Sequence, residues 1–191
     1  PDTSSTSGYL VPASYFAKVG ITPGDQVAAG GHPQSVIAVY EGQADFATTF
    51  FSPPGNEGEW QIGDPPQPAG EIVVETEGDS TKAFVNGMQI RDARSSVLGD
   101  YPDVMDKVCI LAISDPIPND TVSFSKDFPA DAREKIVQAL IDYAATEEGL
   151  EVLANDEFYD ITGFARVDDS NFDPIRDMIN GLGLKEEDIL N

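Results

Sequence analysis

Apolar residues at Tyr9, Leu10, Tyr15, Phe16 and Val19 recur at a roughly helical spacing and stop at Gly20. That pattern predicts a helix from Ser7 to about Gly20, with Pro12 tolerated in its opening turns. Val36, Ile37, Val39 and Tyr40 predict a second helix, beginning near Pro33 and ending at Gly42. Residues Ala44 to Phe50 then read as a strand. Short strands are also expected at Glu71–Glu75, Ala83–Val85, Val108–Ile113 and Val122–Ser125, and a short helix at Tyr101–Lys107. Ile136, Val137, Leu140 and Ile141 share one face of the clearest helix, Pro129 to about Ala145. Further helices are expected over Glu147–Leu153 and Pro174–Leu182, the latter stopped by Gly183. Strands alternate with helices, so the class is α/β. No internal repeat is present.

Residues 52–70 break this rhythm with Pro53, Pro54, Pro65, Pro66 and Pro68 and several glycines, and read as loop or insertion rather than core. Ser114-Asp115-Pro116-Ile117-Pro118-Asn119-Asp120 reads as an extended crossing, because its prolines disfavour helix.

The chain of 191 residues carries a formal charge of −23. Its length suits one large domain or two small ones. Such acidity argues against nucleic acid and anionic membrane surfaces, since counterion release rewards basic faces. An anionic ligand would have to be held by local dipoles against the mean field, a penalty screened beyond ~8–10 Å. Cys109 is the single cysteine, so no intrachain disulfide forms, and its apolar setting predicts a buried, inert thiol. No apolar stretch approaches the ~20 residues of a membrane span. The hydroxyl run already under way at Pro1 suggests that sequence upstream has been removed.

Candidate chemistry concentrates at two helix starts. Asp2-Thr3-Ser4-Ser5-Thr6-Ser7-Gly8 places hydroxyls before the first helix, where unpaired N–H groups and the helix dipole favour an anion. An ordinary Ser/Thr N-cap would use the same residues. His32, the sole histidine, follows Gly30-Gly31 and precedes Pro33 at the second helix start. There a neutral imidazole can donate one hydrogen bond to an oxyanion, or simply cap its own turn. A Ser/His/Asp hydrolase lacks support, because neither Ser5 nor Ser7 lies in a Gly-x-Ser-x-Gly elbow. Zinc spacing, calcium loops and phosphate-binding glycine loops are also missing, so no cofactor or metal is expected. The clusters Glu147-Glu148 and Glu186-Glu187-Asp188 read as surface charge.

Several segments fall in one order: Asp-x-x-Ser-Thr-Ser-Gly-Tyr-Leu-Val-Pro, Gly-Gly-His, Gly-x-x-Asp and Ser-Asp-Pro-Ile-Pro-Asn-Asp. Gly163-Phe164, Val167-Asp168-Asp169-Ser170 and Phe172-Asp173-Pro174-Ile175-Arg176 follow. Together they resemble the phosphonate-binding proteins of ABC transporters, over most of the chain apart from residues 52–96. The resemblance implies a type II periplasmic-binding-protein-like fold, here the second lobe plus the C-terminal part of the first. On that reading residues 1–114 form the ligand-cradle lobe with an insertion at about 52–96, 115–121 the hinge crossing, and 122–191 the return to the first lobe. The family's long N-terminal segment would be missing, leaving strand edges through which two copies could associate.

The resemblance further implies that Ser5, Thr6 and Ser7 bind the oxygens of a small phosphorus oxyanion. It gives His32 as another donor and turns Asp120 toward the cleft. Asp120 would meet an amine or a protonated ligand oxygen, although an aspartate after proline can also serve only its own turn. Where the family commonly carries a further acidic residue, this chain has Thr48-Thr49-Phe50-Phe51, which favours a smaller or uncharged substituent. The implied role is extracytoplasmic capture of phosphonate, phosphite or a related anion for an ABC permease, by a periplasmic protein or a tethered lipoprotein. The alternatives are a ligand sensor of the same fold and a small Ser/His esterase or phosphatase.

Overall fold

The computed structural model describes residues 1–55, 60–154 and 161–185. They divide into two compact units, one of residues Pro1–Ile117 with the chain from Pro174 onward, the other of Pro118–Asp173.

The first unit opens with a π-helical turn, Thr6–Leu10, that runs directly into helix α1, Val11–Val19. Gly20 ends α1 in the left-handed region at φ 72°, where its missing Cβ removes the steric penalty. Helix α2 spans His32–Tyr40, with Pro33 in its first turn, where a missing N–H costs nothing. Strands β1 (Ile72–Glu77), β2 (Ser80–Val85) and β3 (Met88–Ile90) form one antiparallel sheet in the order β1-β2-β3. Asn86 and Gly87 join β2 to β3 with φ of 52° and 83°. Asn-Gly accepts the two positive φ angles that a tight hairpin turn needs.

The core lies where α2 meets this sheet. Val36 packs with Ala83, Val85, Ile90, Ala93, Val97, Leu98, Val104 and Met105, and Phe50, Ile72 and Val108 lean on the cluster. Ala83 and Val85 point inward at period two along β2, as a half-buried strand requires. A 3-10 turn (Ala93–Val97) and helix α3 (Val104–Lys107) close the cluster.

Residues 52–70 hold no helix or strand among those described, but they are stitched to the sheet. The Gly55 N–H donates to the Gln89 carbonyl at 2.8 Å, and Asn86 Nδ2 to the Ala69 carbonyl at 2.9 Å. Arg94, 3 % exposed, pairs with buried Asp92 at 2.8 Å and donates at 2.9 Å to both Gln67 Oε1 and the Val108 carbonyl. Thus the stretch spanning 52–96 contributes much of the core rather than standing outside it.

The second unit is built on α4 (Ala130–Ala144) and α5 (Glu147–Leu153), where the Thr146 hydroxyl caps α5 by accepting from the Gly149 N–H at 3.0 Å. Arg166 and Glu134 form an ion pair at 2.6 Å. A 3-10 turn at Asp169–Phe172 precedes helix α6 (Asp173–Gly181), which from Pro174 onward belongs to the first unit.

Five expectations need correction. Ala44–Phe50, Val108–Ile113 and Val122–Ser125 are not strands of any sheet among the described residues. β-branched and aromatic runs favour extended backbone, but a strand exists only where a neighbour supplies the ladder. Cys109 is exposed, not buried, and Leu111 beside it is 85 % exposed. Val108 of that run leans on the core, whereas Cys109 and Leu111 have no sheet to turn them inward. The expected helix at Tyr101–Lys107 is confined to Val104–Lys107.

Candidate functional site

Ser5 is the N-cap of the π-helical turn. Its backbone is extended, at φ −66° and ψ 119°, and its Oγ accepts from the Gly8 N–H at 3.1 Å. Capping uses the oxygen as acceptor and leaves the hydroxyl proton for a second partner. Thr6 and Ser7 follow in the first turn, half-buried, while Gly8 is buried. Asp2 is turned to its own segment: its Oδ1 accepts from the Ser4 N–H at 2.8 Å and the Ser4 hydroxyl at 2.5 Å. Those bonds hold its carboxyl below the usual carboxylate range.

His32 is the first residue of α2, preceded by extended Gly31 at φ 174°. The backbone N–H of Phe50 donates to its Nδ1 at 3.1 Å, and the Phe50 ring meets the imidazole edge-on at 5.1 Å. A nitrogen that accepts an N–H carries no proton of its own, so Nδ1 is bare and the neutral ring's proton sits on Nε2. Burial pushes the imidazole below its ordinary pKa, the ammonium at Pro1 adds to this, and the Asp2 carboxylate opposes it. The ring is therefore a neutral donor at Nε2.

One segment joins the two helix starts. Residues 46–51 lie outside helix and sheet; the Thr48 hydroxyl donates to the Gly8 carbonyl, and two residues on the Phe50 N–H reaches His32. Pro12 explains why the Gly8 carbonyl takes a side-chain donor: proline has no N–H with which to close the α-helical bond. Ser5, Thr6, Ser7 and His32 thus belong to one framework within the first unit. The hydroxyls, the first-turn N–H groups and Nε2–H are the kind of donors an oxyanion accepts. Asp120 belongs to the second unit and is exposed, in a stretch after Pro118 without helix or strand.

Phe50 packs on the core, and Phe51 meets Trp60 edge-on at 5.7 Å. The contributions of Thr48 and the Phe50 amide were not legible in sequence. They depend on contacts across 40 and 18 positions of chain, and threonine in an apolar run carries no motif. Among the described residues no group of three His, Cys, Asp or Glu side chains is placed to hold a metal ion. Nor is any helix there long and apolar enough to cross a membrane.

No curated protein and no solved structure matches the chain significantly. A family model does: the phosphonate periplasmic substrate-binding protein of ABC transporters, matched over residues 1–172. That family has the periplasmic-binding-protein fold, consistent with the mixed helices and sheet seen here. It is a family of binding components rather than enzymes, implying an extracytoplasmic place and a permease partner. The match takes in both helix starts with their hydroxyls and histidine, and the chain belongs to the phosphonate-binding family of periplasmic ABC-transporter components.

Proposed function

We propose that the protein captures phosphonate, phosphite or a related phosphorus oxyanion outside the cytoplasmic membrane, free or lipid-anchored, and delivers it to an ABC permease. Ser5, Thr6, Ser7 and His32 hold the oxygens, and Asp120, in the hinge crossing of a type II receptor, meets a proton or amine on the ligand. The observation carrying this reading is the joining of two helix starts by residues 46–51, with His32 kept neutral and its donor at Nε2. Each neutral donor facing a charged oxygen contributes ~1.5–3 kcal/mol, so a few suffice without lysine or metal. Fully ionised sulfate offers Asp120 no proton, and two like charges repel; protonated phosphorus oxyanions are favoured on that ground.

Transport favours reversible binding, and the histidine geometry supports it over a Ser/His esterase. A general base in such enzymes donates from Nδ1 to a carboxylate, which stabilises the imidazolium. Here Nδ1 faces an N–H, which opposes protonation. Calorimetry with phosphite, methylphosphonate, aminoethylphosphonate, phosphate and sulfate tests the assignment, with and without a first-lobe segment fused ahead of Pro1. Heat from phosphorus oxyanions, reduced by Ser5→Ala or His32→Ala, supports it. Sulfate bound as tightly as phosphite, or no heat from any anion in either form, ends it.

A further inference from the structure

We propose that Thr48 is a positioning residue for the oxyanion site: it clasps residues 46–50 to the Gly8 carbonyl so that the Phe50 amide fixes His32 as a donor at Nε2. The inference rests on Ser5–Ser7 and His32 being the oxyanion cradle, and it assigns to Thr48 a role outside that cradle.

Three features carry it. The Thr48 hydroxyl meets a carbonyl that Pro12 deprives of its α-helical donor, so the clasp supplies a donor in its place. The Phe50 ring packs into the core while its N–H reaches Nδ1 at 3.1 Å, so side chain and amide are held by separate attachments. Between them lies only Thr49, which leaves little slack: a shift at Thr48 is felt at Phe50. The imidazole would otherwise exchange its proton between two nitrogens, and the Nδ1–H form would bring two N–H groups face to face. Fixing one tautomer removes that alternative before ligand arrives, so less free energy goes into ordering the site on binding. The consequence for specificity is direct. The ligand atom at His32 must be an acceptor, an unprotonated oxygen, and a protonated oxygen or ammonium is sent elsewhere.

His32 is the sole histidine, so its imidazole nitrogens give the only histidine signals in a nitrogen-15 spectrum. In the ligand-free 191-residue chain, one tautomer is expected, with Nε2 protonated and Nδ1 bare. Thr48→Val keeps the shape and removes the donor; it should move both resonances toward the average of the two tautomers. Thr48→Ser restores the donor and should restore the spectrum. Phosphite affinity should follow the same order, falling about tenfold in Thr48→Val and recovering in Thr48→Ser. A merely structural role would lower the melting temperature of Thr48→Val without changing the tautomer. An Nδ1–H tautomer in the wild type, or a Thr48→Val spectrum identical to it, overturns the inference. If phosphite binds no form while the spectra behave as expected, the ligand assignment fails and the positioning role stands.

Discussion

The backbone N–H of Phe50 points at Nδ1 of His32 across 3.1 Å, two residues after the Thr48 hydroxyl has engaged the Gly8 carbonyl. Protonating His32 must break that contact and charge a half-buried ring. Its folded-state pKa is lowered by burial first, then by the ammonium at Pro1, with Asp2 opposing. The stability it contributes is therefore complete above the ordinary histidine value of ~6.5 and is lost as pH falls through the lowered value. Urea midpoints read from Trp60 fluorescence should decline over that interval in the wild type. His32→Asn keeps an acceptor for the Phe50 amide and does not titrate, so it should flatten this part of the profile. Equal slopes in the two proteins would exclude His32 as the cause.

Ser5 caps the first helix start, and the proposed function gives it a second, separable duty in ligand contact. Ser5→Ala should cost ~0.5–2 kcal/mol of stability as the Gly8 N–H loses its partner, and Ser5→Gly only a few tenths. Both remove the hydroxyl, so both should weaken phosphite binding by about tenfold or more. Binding retained in Ser5→Gly would confine the residue to its cap.

Arg94 is the buried tie among three stretches of chain: Gln67, the Asp92 turn and Val108. Arg94→Met leaves the Asp92 carboxylate buried beside an apolar side chain, an arrangement that costs ~3–5 kcal/mol. Adding Asp92→Asn removes the orphaned charge and should recover part of the loss. Denaturant unfolding followed at Trp60 measures both, and a single variant as stable as wild type would place the pair in solvent.

Cys109 is exposed in a run without helix or strand. A maleimide should therefore label the folded chain at the rate of an accessible thiol, with no denaturant required. Labelling that waits for unfolding would mean that this run is covered.

The helices were legible because their information is local. Apolar spacing with Gly20 and Pro33 set α2, and α1 together with its π-helical turn, within a residue or two of the expected ends, and α5 spans the expected residues. The two hydroxyl- and histidine-bearing helix starts were likewise readable as candidate oxyanion donors, whereas the hairpin at Asn86-Gly87 was not singled out. Strands were less legible, since β1–β3 acquire their ladder from one another, whereas 44–50, 108–113 and 122–125 have the same composition and none among the described residues.

Tertiary structure decided which part of the chain makes the core and which nitrogen of His32 holds the proton. The stretch 52–96 reads as a peripheral insertion, yet its Ala83, Val85, Ile90 and Ala93 fold inward because α2 offers Val36 as a facing surface. The imidazole's tautomer depends on the partner its Nδ1 meets. That partner, the Phe50 amide, arrives from a segment that the core and the Gly8 carbonyl hold in place, and no local pattern around His32 encodes it. Sequence thus supplied the donors themselves, because residue type sets what a side chain can donate. Their orientation waited on contacts distant in the chain, because a hydrogen bond depends on where two groups meet.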